Sequence, residues 1–339
     1  MKTLSSRLLA LSFSLALCAN MLADGINDYT KTADLRYVDD DKVYHQLDIY
    51  YPADDGQTKH PVIVHVYGSA WAGNNMKGYA DLSTVGLAAL QAGYIFVAPN
   101  HRASTDAKFP AQIHDIKAVI RYLRGNAESL GIDTSFIAIS GFSSGGHLAA
   151  LMATTTNLKN AAVDMEGTVG LFLAESSAVH AACTWSGIVE LRNIDGCNPV
   201  ENCSNYAEDL IGTSYESNPI KWSIASANTY VDAGDVPTII FHGSADPIVP
   251  TCTSENFYNK LHAAGVDTEY VLHSGQHAVD AGSLDKMITF FNRIRSTRLA
   301  IDSPSLQGRS GEASKLLRDG QLLIQQNGQI VNVLGQPIR

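Results

Sequence analysis

Apolar positions along the chain recur with two periods, near 2 and near 3.6, and the alternation between them sets the expected architecture. Residues 32–51 read as two strands; within them Val43 to Tyr51 alternates, placing Leu47, Ile49 and Tyr51 on one face. Asp54-Asp55-Gly56 then turns the chain. Pro61 to Tyr67 is a β-branched run suited to a strand covered on both sides. A loop of small residues, Gly68 to Gly73, follows it. Tyr79 to Ala92 has a helical pattern that closes at Gly93, and Tyr94 to Pro99 is the next strand. Pro110 opens a longer helix with Ile113, Ile116, Val119, Ile120 and Leu123 on one face. Phe136 to Ser140, Ala178 to Cys183, Val236 to Phe241 and Thr268 to Leu272 are short apolar strands. Ser254 to Ala264 and Leu284 to Ile294 are helical in pattern.

Strands alternating with helices predict an α/β fold, a mostly parallel, doubly wound sheet of about eight strands covered on both faces. The stretch 186–232 has no strong period and reads as a small lid over the strand ends. After Ile301 the composition changes: 302–316 is a Ser/Gly/Pro-rich linker, and 317–339 is a tail containing a hairpin. The hairpin reads as Gln321 to Gln326 and Gln329 to Leu334 around a type I′ turn at Asn327-Gly328. A lone hairpin is marginal in water, so the tail is expected to pack on something or be recognised by something. At the other end, Lys2 and Arg7 precede an apolar run from Leu8 to Cys18, the pattern of a secretory signal peptide over 1–23. Cleavage near Ala19 or Ala23 would leave a domain spanning 24–301 in an exported protein, secreted or periplasmic.

The 339 residues are 45% hydrophobic and 17% charged, enough for a sizeable core. Loss of residues 1–23 removes Lys2 and Arg7 and moves the net charge from −10 to −12. That balance argues against nucleic acid and anionic membrane as partners. It is compatible with a small ester or a neutral, acylated polysaccharide. Export makes disulfides possible. Cys197 and Cys203 share a loop rich in Asn, Pro and Ser, which favours a local bridge, while Cys183 and Cys252 each follow a strand and would meet if those strands are neighbours. No Cys-x-x-Cys or paired-His spacing points to a metal, and no dinucleotide or Walker fingerprint points to a cofactor.

The chemistry centres on Ile137 to Ala149, an apolar strand, a sharp turn and a helix rich in Ala and Leu. Gly141-x-Ser143-x-Gly145 at the turn is the pattern of a nucleophile elbow, which holds a serine hydroxyl above the sheet edge. A serine is a poor nucleophile until a base takes its proton, and in this arrangement acid and base follow the serine in that order. Asp246 stands in the loop after Val236 to Phe241, and His277 in the loop after Thr268 to Leu272. His273 is a rival base; Asp235 and Asp280 are rival acids. Oxyanion donors are expected at the backbone N–H of Ser144 and at that of Ser69 or Ala70. Trp71 is equally a pocket wall or simple packing, and Trp185 is a second candidate pocket residue. His147 reads as a core or supporting residue and Asp115 as a structural one.

With these residues assembled, the chain resembles the α/β-hydrolase superfamily, in particular bacterial carboxylesterases of the acetylxylan esterase and feruloyl esterase type. The resemblance runs from about Leu47 to Ile294. It is carried by Leu47-Asp48-Ile49-Tyr50-Tyr51-Pro52, Tyr67-Gly68-Ser69-Ala70-Trp71, Phe109 to Asp115, Gly141 to His147, His242 to Pro250, and His277. It implies a serine esterase acting through Ser143, Asp246 and His277, with acetyl or feruloyl esters on plant hemicellulose as substrates. Tyr67-Gly68-Ser69-Ala70-Trp71 stands where the family's usual His-Gly-Gly-Gly-Trp is found, so backbone donors survive but the loop histidine does not. Gln276-His277-Ala278 departs from the Gly-rich His loop that is common there. The tail from Leu317 to Gln336 is similar to a C-terminal sorting segment of the type IX secretion kind, implying secretion machinery as a partner. Two other readings remain: a peptidase of the prolyl-oligopeptidase kind, and a non-catalytic carbohydrate-binding protein on a hydrolase scaffold.

Overall fold

The computed structural model describes residues 29–302 apart from Ala80, Asn157, 159–162, Asp195 and 199–203, together with 314–318, 321–326 and 329–332. The expected signal segment 1–23, most of the linker, Cys203 and the Asn327-Gly328 turn therefore lie outside the described residues. The chain divides into two compact units, Met1–Phe291 and Asn292–Arg339.

In the first unit the strands are β1 (Thr30–Arg36), β2 (Gln46–Tyr51), β3 (His60–Val66), β4 (Ile95–Pro99), β5 (Ile132–Phe142), β6 (Ala181–Trp185), β7 (Thr238–Gly243) and β8 (Thr268–His273). They form one sheet in the order β1-β2-β4-β3-β5-β6-β7-β8. Pairing is parallel from β4 through β8, whereas β1–β2 and β2–β4 are antiparallel. Val62, Ile63, Val64 and Val66 are all buried because both faces of β3 are covered, as its unbroken apolar run requires. Each such side chain contributes roughly 1.5–3 kcal/mol on burial.

The helices are α1 (Leu87–Gln91), α2 (Ala111–Gly125), α3 (Ser144–Thr154), α4 (Ser204–Ile211), α5 (Pro219–Ala225), α6 (Thr251–Ala263) and α7 (Leu284–Asp302). The helix expected over 79–92 begins with a π-helical turn at Leu82–Gly86 before α1 takes over. Gly93 ends it with φ +78°, a conformation open to glycine at little cost. Every residue of α3 is buried, which accounts for its lack of a polar stripe. Asp115 of α2 is buried and takes Arg102 in a forked contact, with Arg102 Nε 3.0 Å and Nη2 2.6 Å from Asp115 Oδ1. Burial works against ionisation there, but the nearby His45 imidazole, 3.5 Å away, and the hydrogen bonds from Arg102 hold the carboxyl below its ordinary range. The pair fastens the loop after β4 to α2.

Strand order fixes where a ligand can enter. From β3 the chain passes to β4 on one side and then to β5 on the other, so the sheet changes direction between β3 and β5. Crevices form outside the carboxyl ends of strands at such a switch point. The Gly68–Trp71 loop leaves β3 there, and Ser143 leaves β5 there.

The 186–232 stretch contains α4 and α5, and its apolar residues pack with the β3 loop. Ile188, Leu191, Ala207, Leu210, Ile211, Trp222 and Ala225 form a second core around Trp71, with Val249 from the loop after β7. The structure corrects both expected cysteine pairings. Cys197 is joined to Cys252, at the start of α6, and Cys183 is a buried free thiol. β6 and β7 are indeed neighbours, but Cys183 lies within β6 whereas Cys252 lies well beyond Gly243, the end of β7, so strand adjacency does not bring them together.

The second unit contains a three-stranded antiparallel sheet, β11 (Gln329–Asn332), β10 (Gln321–Gln326) and β9 (Ser314–Arg318). Gln326 pairs with Gln329, and β9 adds a strand whose first residues fall in the expected linker.

Candidate active site

The turn between β5 and α3 folds back so tightly that side chains are excluded at two points. A Cβ on Gly141 would lie 2.1 Å from the Gly145 carbonyl oxygen, and one on Gly145 would lie 2.0 Å from that of Val66. Ser143, between them, has φ +54° and ψ −119°, a strained conformation that is held from both sides. Its N–H donates to Trp185 O at 2.9 Å, and its carbonyl accepts the first helical bond from His147 N at 3.0 Å. Ser143 is only 8% exposed.

The structure brings the three sequence-predicted residues into line. Ser143 Oγ is 2.9 Å from His277 Nε2, and His277 Nδ1 is 2.8 Å from Asp246 Oδ2. The carboxylate takes the proton-bearing Nδ1, which leaves Nε2 to accept from the serine hydroxyl. Asp246 Oδ1 accepts from the N–H groups of Ile248 and Val249 at 2.8 and 2.9 Å. Burial alone would raise this carboxyl, but hydrogen bonds from His242, His277 and those two N–H groups hold it far below the ordinary carboxylate range. The rivals are engaged elsewhere. His273 Nδ1 accepts from Gly275 N–H, Asp280 caps a short turn through Gly282 N–H, and Asp235 accepts from Asp232 N–H.

The residues expected around the nucleophile take different places. The N–H of Ser144 is at the first turn of α3, where backbone donors have no helical partner. Ser69 N–H donates to Ser144 Oγ at 2.8 Å, so in this state that donor faces a side chain. Ala70 follows it with φ +49°. Trp71 is wholly buried in the second core, and its indole N–H donates to His147 Nδ1 at 3.1 Å. Trp185 is also wholly buried, stacked on Phe241 at 4.0 Å between ring centres. Phe142 packs against the His277 ring at 4.8 Å.

Sequence reasoning missed His242, whose Nε2 is 3.2 Å from Asp246 Oδ2. Its position four residues before the acid, in His242-Gly243-Ser244-Ala245-Asp246, was the available signal.

The BD-FAE family model, an α/β-hydrolase model, covers residues 47–261. The chain belongs to the BD-FAE family. Among curated relatives it is similar to Esterase LipQ of Mycobacterium tuberculosis, 34% identical over 225 residues, covering 65% of this chain and 50% of that protein. A second, the Probable carboxylic ester hydrolase LipM of the same organism, is 29% identical over 258 residues, covering 75% of this chain and 57% of its own. The chain thus spans about half the length of these curated relatives. Among solved structures it is similar to a truncated form of a carbohydrate esterase from gut microbiota, at TM-score 0.75 and 35% identity, covering 80% of this chain and 98% of that one. It is also similar to a bifunctional GH43-CE protein of Bacteroides eggerthii, at TM-score 0.73 and 41% identity, covering 78% of this chain and 35% of that one. The BD-FAE match takes in Ser143 and Asp246 and ends before His277.

Proposed function

We propose that this BD-FAE chain is a secreted serine carboxylesterase that acts through Ser143, His277 and Asp246. The observation that carries the reading is the unbroken chain from Ser143 Oγ to His277 at 2.9 Å and on to Asp246 at 2.8 Å. In the first step Ser143 Oγ attacks the acyl carbon while His277 Nε2 takes its proton. The carbonyl π electrons move to the oxygen, which the N–H groups of Ser144 and Ala70 receive; losing one such donor typically costs about 2.7–4 kcal/mol of barrier stabilisation. Collapse expels the alcohol, and His277 returns the proton to it. Water gives a proton to the same Nε2 and attacks the acyl carbon; the acyl–Oγ bond then breaks, His277 returns that proton to Ser143 Oγ, and the acid and free Ser143 are released. Asp246 keeps the imidazole in the required tautomer and stabilises its charged form throughout.

The substrates on this reading are acetyl or feruloyl esters on plant hemicellulose. Its support is the likeness to the gut-microbiota carbohydrate esterase and to the bifunctional GH43-CE protein of Bacteroides eggerthii. Residues 1–23 would direct export, and the 317–339 tail would engage secretion machinery; fractionation of cells expressing the chain with and without each segment tests both.

The direct test compares the full chain with Ser143→Ala on p-nitrophenyl acetate, acetylated xylan and methyl ferulate. Loss of nearly all activity, with loss of fluorophosphonate labelling, is the expected result. Retention of most activity by Ser143→Ala would discard the mechanism. Activity confined to short p-nitrophenyl esters would discard the hemicellulose assignment alone.

A further inference from the structure

Building on the serine-esterase reading, we propose that Ser144 and His147 are positioning residues that fix the Gly68–Trp71 loop so that the Ala70 N–H points at the reacting carbonyl oxygen. Neither side chain has to touch substrate. Both project from α3, the helix that starts at the nucleophile, and both grip the loop that leaves β3.

The loop needs holding. Ala70 and Trp71 have φ of +49° and +57°, a left-handed conformation that opposes any residue with a Cβ and a bulky one most. Two consecutive residues in that region persist only where surrounding contacts over-determine them. Backbone bonds close the turn, with Ala72 N–H donating to Ser69 O at 3.0 Å and Ser104 N–H to Trp71 O at 2.8 Å, and two side-chain contacts from α3 then bracket Ala70. On one side, Ser69 N–H donates to Ser144 Oγ at 2.8 Å. On the other, the Trp71 indole N–H donates to His147 Nδ1 at 3.1 Å, with the rings edge to face at 5.3 Å. Ser144, His147 and Trp71 are all fully buried, so water does not compete for these bonds.

The donor at Trp71 also fixes the histidine tautomer. His147 Nδ1 must be bare to accept, so Nε2 carries the hydrogen and donates to Ala225 O at 2.7 Å. Burial pushes the imidazole down to about 4, with the Ala225 carbonyl acting slightly the other way, so the acceptor stays open at neutral pH. Ala225 ends α5, and the relay Ala225–His147–Trp71 therefore ties the 186–232 stretch to the oxyanion loop. Gly68 completes the fit. A Cβ there would lie 2.7 Å from Phe142 Cδ1 and 2.9 Å from Ser143 Cβ, so the loop presses directly on the nucleophile.

The test uses the full chain with Ser144→Ala, which keeps the backbone donor and loses only the hydroxyl, and Trp71→Phe, which keeps an aromatic ring and loses the indole N–H. Competent sites are counted by fluorophosphonate titration, and kcat on p-nitrophenyl acetate is expressed per site. Each variant is expected to lose about 10- to 100-fold in kcat with KM within about twofold, a partial version of losing an oxyanion donor. Affinity for an alkyl trifluoromethyl ketone, whose hemiketal oxygen occupies the same place, should weaken by a similar factor. His147→Gln, which can both accept and donate, should recover part of what His147→Leu loses. Unchanged kcat per site in both Ser144→Ala and Trp71→Phe would overturn the inference, as would a loss seen only in the number of titrated sites or in KM. A Ser143→Ala variant with full activity would instead overturn the esterase reading beneath it.

Discussion

His242 and His277 approach the same oxygen of Asp246, at 3.2 and 2.8 Å. His242 Nε2 also lies 2.9 Å from Val249 O, and its Nδ1 is 2.7 Å from Ser254 Oγ. With two acceptors facing Nε2, the hydrogen belongs there, and Ser254 donates to Nδ1. A chain of side chains thus runs Ser254–His242–Asp246–His277–Ser143, linking the start of α6 to the nucleophile. Because His242 is on β7 and fully buried, it anchors the acid loop to the sheet.

Removing that anchor is expected to slow the enzyme without emptying the site. His242→Leu should lower kcat by about tenfold to a hundredfold, the cost of withdrawing one hydrogen bond from a charged group. The check is steady-state kinetics alongside Asp246→Asn, which should cost about 10⁴-fold through loss of the imidazole tautomer. Equal, complete inactivation of both would show that His242 does more than support the acid.

The Cys197–Cys252 bridge closes a loop of sequence separation 55. On the chain-entropy account a loop of that length stabilises by about 4 kcal/mol. Cys252→Ser should lower Tm by on the order of 10 °C, and dithiothreitol should do the same to the unmodified chain. Cys203→Ser should leave Tm unchanged. A large shift in Cys203→Ser with none in Cys252→Ser would restore the local pairing that the loop composition suggested.

Burial raises the Asp235 carboxyl to about 7, against the Asp232 N–H that donates to it and with the nearby Asp232 charge acting the same way as burial. In the unfolded chain the same group titrates near 3.9. Between about pH 4 and 7 the unfolded state gives up a proton that the folded state keeps, so stability from this site is complete below about pH 4 and is lost as pH rises through 7. Asp235→Asn should therefore raise Tm more at pH 8 than at pH 5. Thermal unfolding at the two pH values decides it; a difference that did not depend on pH would rule the site out.

The sheet was largely legible because its determinants are local. Pro61 to Tyr67 carries its own evidence of two-sided burial, and the elbow is specified by steric conflicts within five residues, Gly141 against Gly145. The helix over 79–92 was legible in extent but not in its π-helical opening, which no apolar period encodes. The strand β9 straddles the expected boundary, its first residues Ser314 to Leu316 in the linker and Leu317 and Arg318 in the tail, because Ser314 to Arg318 lacks the alternation that marks a strand.

What the sequence determined by itself was the fold class and the order of Ser143, Asp246 and His277 on successive strand-end loops, since both follow from pattern and from chain order. Tertiary structure alone decided which contacts those residues make. The cysteine partner, the burial of Trp71, the engagement of the Ser69 N–H by Ser144 and the second imidazole on Asp246 all join positions remote in sequence or separated by a turn. Hydrogen bonds and disulfides are won or lost over about an ångström, and composition and spacing do not carry that distance. Packing does. It leaves Ser143 Oγ within reach of His277 and sets the strained Ala70–Trp71 turn against it.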